Sequence, residues 1–156
     1  MRVTLCAVGR LRAGPEADLV ADYLARFDRT GRPLALGPAT VVEVEDRRGG
    51  GMAAEAELLA RALPARALVA VLDERGETPS SPEFAERLAR WRDSGWGEVA
   101  FVIGGADGLL PALRHRADYA LSFGRMVWPH MMVRAMLAEQ LYRAASILSG
   151  GPYHRA

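Results

Sequence analysis

Phe101–Pro111 reads FVIGGADGLLP, and Tyr119–Pro129 reads YALSFGRMVWP. In each, an apolar run stops at glycine. Val99 to Ile103 is short and β-branched enough for a buried parallel strand, and Gly104 and Gly105 end it where backbone can approach a ligand closely. Tyr119 to Phe123 is a second such run, followed by Gly124, Arg125, Met126, Val127, Trp128 and Pro129. A long amphipathic helix from Met131 to Leu148 comes next. Two strands ending in glycine-bearing loops point to an open α/β sheet, whose ligands bind at the carboxyl ends of the strands.

Outward from that pair, strand and helix patterns alternate along the rest of the chain. Val3 to Val8 reads as the first strand. Pro15 opens a helix in which Val20, Tyr23, Leu24 and Phe27 recur at helical spacing, and Gly31 and Pro33 close it. Thr40 to Val44 is a β-branched strand, and Asp46, Arg47, Arg48 and three glycines form a solvated loop before a helix from about Met52 to Leu63. Ala67 to Leu72 is the third strand, expected to turn at Asp73 to Gly76. Ser81 and Pro82 start a helix that puts Phe84, Leu88 and Trp91 on one face, with Gly95 and Gly97 behind it. The alternation predicts an α/β fold, a mainly parallel sheet with helices on both faces, in a single domain over residues 1–156. The ends of the third, fourth and fifth strands, at Leu72, Gly105 and Phe123, are expected to form one pocket.

The 156 residues are half hydrophobic, enough for one core. No apolar run approaches the roughly 20 residues of a membrane span, and MRVTLCAVGR lacks a signal-peptide pattern, so a cytosolic protein with no membrane partner is expected. The single cysteine, Cys6, lies inside an apolar strand and reads as a buried thiol; neither an internal disulfide nor a multi-cysteine metal site can form. A metal-binding His pair is missing too, and no metal is expected. The net charge of +1 argues against non-specific coating of nucleic acid. Its distribution is uneven: from Leu113 onward 6 Arg face only Asp118 and Glu139, and all three His fall there. The chain has no Lys, so every side chain carrying a fixed positive charge is a guanidinium, which suits phosphate recognition and equally fits a biased base composition.

Gly104, Gly105 and Gly108 form GGxxG, which lacks the spacing of the dinucleotide fingerprint. As residues alone, GGADG serves as well for a tight turn as for a ligand loop, and His130 after Pro129 is as readily structural as catalytic. Nucleophile elbow and phosphate loop are both missing. Glu139 and Arg143 are spaced for a surface pair of small value. The terminal Tyr153, His154 and Arg155 follow Gly150, Gly151 and Pro152, a hinge that a core-packed terminus does not need.

Longer motifs decide among these readings. IGGADG, LSFGRMVWPHMMVRAMLAEQLYRA and PYHR, with AVGRLR near the start and LDERGETPSSPEFA in the middle, closely resemble the bacterial ribosomal RNA large-subunit methyltransferase H family of the SPOUT superfamily. Two departures stand out: Ala106 and Asp107 replace the usual proline and glutamate of the glycine loop, and Glu77 replaces a common lysine. The resemblance implies transfer of a methyl group from S-adenosylmethionine to N3 of a pseudouridine in large-subunit (23S) rRNA, and a C-terminal trefoil knot, one of the rare exceptions to unknotted topology. It implies cofactor contacts from Leu72, Gly105, Phe123, Gly124, Arg125, Met126, Val127 and Trp128. A side chain on Gly105 is expected to fill cofactor volume. Candidates for handling the imide proton or its anion are His130, Arg134, Arg143, Tyr153, His154 and Arg155. The tail can also stack on a base and contact phosphate. With so modest a positive charge, the substrate is expected to be the assembled ribosome. The apolar residues of Met131 to Leu148 cover more than one sheet face requires, so a homodimer packed through this helix is expected. The alternatives are another RNA methyltransferase of the superfamily, acting on tRNA or ribose, and a non-catalytic ribosome-binding factor.

Overall fold

A computed structural model describes residues 1–155; Ala156 lies outside the described residues. Five strands form one parallel sheet in the order β2-β1-β4-β3-β5. They are β1 (Arg2–Val8), β2 (Ala39–Val44), β3 (Leu68–Glu77), β4 (Glu98–Ile103) and β5 (Tyr119–Leu121). The helices are α1 (Pro15–Gly31), α2 (Gly51–Ala62), α3 (Ser81–Asp93), α4 (Pro111–His115) and α5 (His130–Leu148). Both sheet faces are covered, which is why β1 and β4 are almost continuously apolar. On one face α5 lies between α1 and α3, over Leu5, Phe101 and Leu121; on the other, α2 and α4 place Leu59 and Leu113 over Cys6, Val71 and Val102. Cys6 is fully buried, and burial pushes its thiol up to about 11, as an inert core residue requires. Among the described residues no helix is long and apolar enough to cross a membrane.

Two elements, β3 and α4, differ from the sequence reading. Strand β3 does not end at Leu72: it bulges at Asp73 to Gly76 and returns to pair Glu77 with Leu121. Gly76 permits that return, because a Cβ there would lie 2.6 Å from the Ala120 carbonyl oxygen. Helix α3 starts at Ser81, as expected, and is capped by Ser80 in a capping box whose other half is Glu83. Five-residue α4 carries too short an apolar pattern to be read in advance.

Helix α5 also corrects the argument for a wide unpartnered face. Ala135, Leu137, Ala138, Leu141, Ala144 and Ala145 are all buried within the chain, because α1 and α3 flank the helix while the sheet lies beneath it. What stays exposed is its first turn, where Met132 is 38% exposed.

Candidate functional site

Strands β4, β3 and β5 are neighbours, so their carboxyl ends meet along one edge of the sheet. The β3 bulge, the loop after β4 and the loop after β5 line a single cleft there. Leu72, Gly105, Phe123, Gly124, Met126, Val127 and Trp128 all line it, and so does His130 at the start of α5. Arg125 does not: it is exposed beside the cleft rather than within it. Asp73, Glu74, Ser122 and Val133 complete much of the wall, beyond the site residues that the sequence singles out. The signal for Asp73 and Glu74 lay in LDERG, where they looked like turn residues; the bulge turns them into cleft residues instead.

The glycine loop after β4 holds itself together through backbone. Gly108 N–H donates to the Gly105 carbonyl at 3.1 Å, and a Cβ on Gly104 would lie 2.5 Å from the Gly108 carbonyl oxygen. Gly104 therefore carries the steric demand. A Cβ on Gly105 would point away from the open cleft, 3.1 Å from a Glu55 carboxylate oxygen and 3.2 Å from Val8 Cγ1. The expectation that a Gly105 side chain fills the cofactor volume is thus corrected: it would press on α2 and β1. Across the cleft, Ser122 Oγ donates to the Gly124 carbonyl at 3.0 Å and accepts from the Gly124 amide at 3.1 Å, which braces the turn. The following residues have no such cover. Met126 and Val127 are 72% and 83% exposed, a large apolar surface on a loop that borders a cleft.

His130 is the only histidine lining the cleft among the described residues. Burial, and then the Arg134 guanidinium, push its imidazole below the ordinary histidine value, so it is neutral near pH 7. Arg134 itself is wholly buried. It donates to the carbonyls of Val8 at 2.5 Å and Gly9 at 2.7 Å and to Glu43 Oε1 at 2.9 Å. Those contacts take it out of the group of residues able to meet a substrate anion, and it does not line the cleft.

The remaining candidates sit elsewhere in the chain. Arg143 lies about 20 Å along the helix from His130, at 1.5 Å per residue. Its guanidinium donates to Glu139 Oε1 from Nε at 2.9 Å and from Nη2 at 2.5 Å, and it lies 4.7 Å from the centre of the Tyr153 ring. Tyr153 Oη donates to the same Glu139 oxygen at 3.0 Å, and its ring packs 4.5 Å from that of Tyr142. His154 Nδ1 is 3.4 Å from Arg143 Nη1, and Arg155 is exposed with no ion pair among the described residues. Glu139 and Arg143 are therefore not a solvated surface pair, and the hinge Gly150 to Pro152 folds the tail back onto α5. Arg143, Tyr153 and His154 are brought together, away from their own chain's cleft, and Arg155 follows them as an exposed side chain that does not line it either.

Comparison with known proteins places this geometry in a family. The family model described as "Predicted SPOUT methyltransferase" matches residues 1–154. Relatives named "Ribosomal RNA large subunit methyltransferase H" from Cereibacter sphaeroides and Roseobacter denitrificans are 72% and 71% identical to this chain over 155 residues, covering 99% of each partner in both comparisons. In overall fold the chain is similar to the crystal structure of a probable methyltransferase from Bordetella pertussis Tohama I, with a TM-score of 0.52 at 21% identity over 92% of this chain and 95% of that one. The chain belongs to the SPOUT methyltransferases, in the ribosomal RNA large subunit methyltransferase H family.

Proposed function

We propose that this chain transfers a methyl group from S-adenosylmethionine to N3 of a pseudouridine in 23S rRNA, on the assembled ribosome in the cytoplasm, and that it works as a homodimer. The observation that carries the reading is near-complete alignment, at about 70% identity, with relatives named for large-subunit rRNA methylation. The trefoil knot at the C-terminal end goes with the same membership.

The cleft suits the cofactor chemically. Leu72, Met126 and Val127 offer apolar surface for the faces of an adenine, and the backbone of the glycine loop at Gly105 and of the braced turn at Phe123 and Gly124 lines the cleft where its edge would lie. Trp128 closes one side and Arg125 stands just outside, within reach of a charged ligand group or of RNA. The exposed Met126 and Val127 supply a direct reason for binding, because covering them removes apolar surface from water. S-adenosylmethionine supplies an electrophilic methyl carried on a sulfonium.

The chain's own part is placement and proton handling. Alignment of N3 with the methyl carbon at about 3 to 3.5 Å contributes much of the rate of an in-line displacement. His130, neutral and at the cleft, accepts the imide proton at a ring nitrogen as N3 forms its new bond. Arg143, Tyr153, His154 and Arg155 cannot reach the cleft of their own chain at their present positions. In a two-fold dimer the tail of one copy serves the cleft of the other, where Tyr153 stacks on a base and Arg155 meets a phosphate or the imide anion. The exposed apolar residues Trp128, just before α5, and Met132, in its first turn, fit a contact between copies.

Mass-spectrometric mapping of 23S rRNA from cells lacking this protein tests the reading. One pseudouridine should lose its N3 methyl and regain it on ribosomes incubated with the purified protein and S-adenosylmethionine. A methyl on ribose, or on tRNA, would assign the enzyme to a different substrate; no cofactor binding by calorimetry would make it a binding factor.

A further inference from the structure

Arg134 is an expensive residue for holding a helix to a sheet. It is fully buried, and its Nε has no acceptor among the described residues, so part of the desolvation cost of the charge is left uncompensated. An apolar side chain of similar volume commonly stabilises a core at least as well as a buried ion pair does. What the guanidinium supplies and an apolar residue does not is a fixed positive charge, and it supplies it next to the cleft. Gly9, whose φ of +85° favours glycine, follows β1 directly. The position a Gly9 Cβ would take is 3.8 Å from Arg134 Nη2 and 3.8 Å from His130 Nε2. Both side chains therefore pack on the same turn. Arg134 binds that turn through the Val8 and Gly9 carbonyls, and Glu43 fixes Arg134 from β2 while also accepting from the Leu11 amide at 2.8 Å.

We propose that Arg134 and Glu43 are positioning residues for the methyl transfer: they fix the Gly9 turn on which the His130 imidazole rests and hold a guanidinium beside it. This builds on the reading of His130 as proton acceptor. A nearby cation disfavours the imidazolium, as does the N-terminus of α5 on which His130 sits, so the ring stays free to accept a proton at neutral pH. Glu43 partly offsets that cation. The other charged groups around His130 are Asp73 and Glu74 of β3, which line the same cleft, Asp73 being tied to Arg114 at 3.3 Å, and Arg10, exposed on the turn itself.

The test is an NMR titration of histidine in the full chain, which has only three, at 115, 130 and 154, together with the pH dependence of single-turnover ribosome methylation. Arg134→Met should raise the His130 pKa by about 0.5 or more, Glu43→Gln should lower it, and Arg134→Lys should leave it near wild type. The acid limb of the rate profile should move the same way in each variant, with S-adenosylmethionine affinity within twofold. Opposite shifts from two partners in one contact are not the signature of a general loosening. Should Arg134→Met fail to fold, Glu43→Gln still decides, since it keeps the side-chain shape and its residue is partly exposed. Absence of a His130 shift in Glu43→Gln, or shifts of the same sign in both variants, overturns the electrostatic role. Titration shifts as expected with an unmoved rate profile would instead overturn His130 as the proton acceptor, and the positioning role with it.

Discussion

Helix α5 carries one arginine near its start and another in its second half, and the two are held in contrasting ways. Arg134 is fully buried on three acceptors from two strands and the turn after β1. Arg143 keeps a quarter of its side chain exposed, is bound by one carboxylate of its own helix, and is overlaid by the terminal Tyr153. The first links the helix to the sheet; the second links it only to the chain's own tail. A group anchored in the sheet can hold a geometry, whereas one clasped by a terminal segment can exchange partners at small cost. The start of α5 is thus built for fixed placement of His130, and its far end for handing residues to another surface.

Stability should separate the two most strongly. Arg134→Met removes one member of a buried pair and leaves two backbone carbonyls without a donor, so unfolding in urea should show a loss of about 3 kcal/mol. Arg143→Met keeps the aliphatic stem and loses a partly exposed pair and one ring contact, for about 1 kcal/mol. Equal losses would erase the distinction between anchor and clasp.

Function should reverse that order at the tail. Deleting residues 153–156 should reduce ribosome methylation at least tenfold, about 1.4 kcal/mol of activation free energy, while S-adenosylmethionine affinity stays within twofold because none of the described tail residues lines the cleft. If dimers form as proposed, a heterodimer of one truncated chain and one carrying His130→Gln should regain activity at one of its two sites. A truncated protein that loses cofactor binding would place the tail in the pocket, and the contrast between the ends of α5 would fail.

The sheet was readable because its signals are local: β-branched runs bounded by glycine and proline locate the strands of β1, β2 and β4 to within a residue or so. The convergence of Leu72, Gly105 and Phe123 followed from strand alternation alone. What stayed hidden depends on contacts far apart in sequence. Nothing local marks Gly76 as the place where β3 must pass 2.6 Å from the Ala120 carbonyl, or turns Asp73 and Glu74 from a loop into a bulge. Arg134 looked like one more cation beside the site, since its acceptors at Val8, Gly9 and Glu43 lie at the other end of the chain. The tail is illegible for the same reason: two glycines suggest a free hinge, and only the Glu139, Tyr142 and Arg143 surfaces turn it into a folded-back segment.

The smallest effect tests how firmly that segment is clasped. Tyr153→Phe keeps the ring against Tyr142 and Arg143 and removes only the hydroxyl that donates to Glu139. A part-buried bond to a carboxylate is worth about 1 kcal/mol, so unfolding at pH 7 should show a loss of that order or less. The pH dependence carries the sharper signature. Burial first, and then hydrogen bonding that includes the Glu139 carboxylate, push the Tyr153 hydroxyl above the ordinary tyrosine value. A raised folded-state value means that the contribution is complete below the ionisation range of an unfolded tyrosine, near pH 10, and is lost as pH rises from there towards the folded value. Wild type should therefore lead the Phe variant at pH 7 and lose that lead in urea titrations above about pH 10. A lead that persists unchanged into alkali would mean that Tyr153 is held by its ring alone, and that Glu139 serves Arg143 rather than the tail.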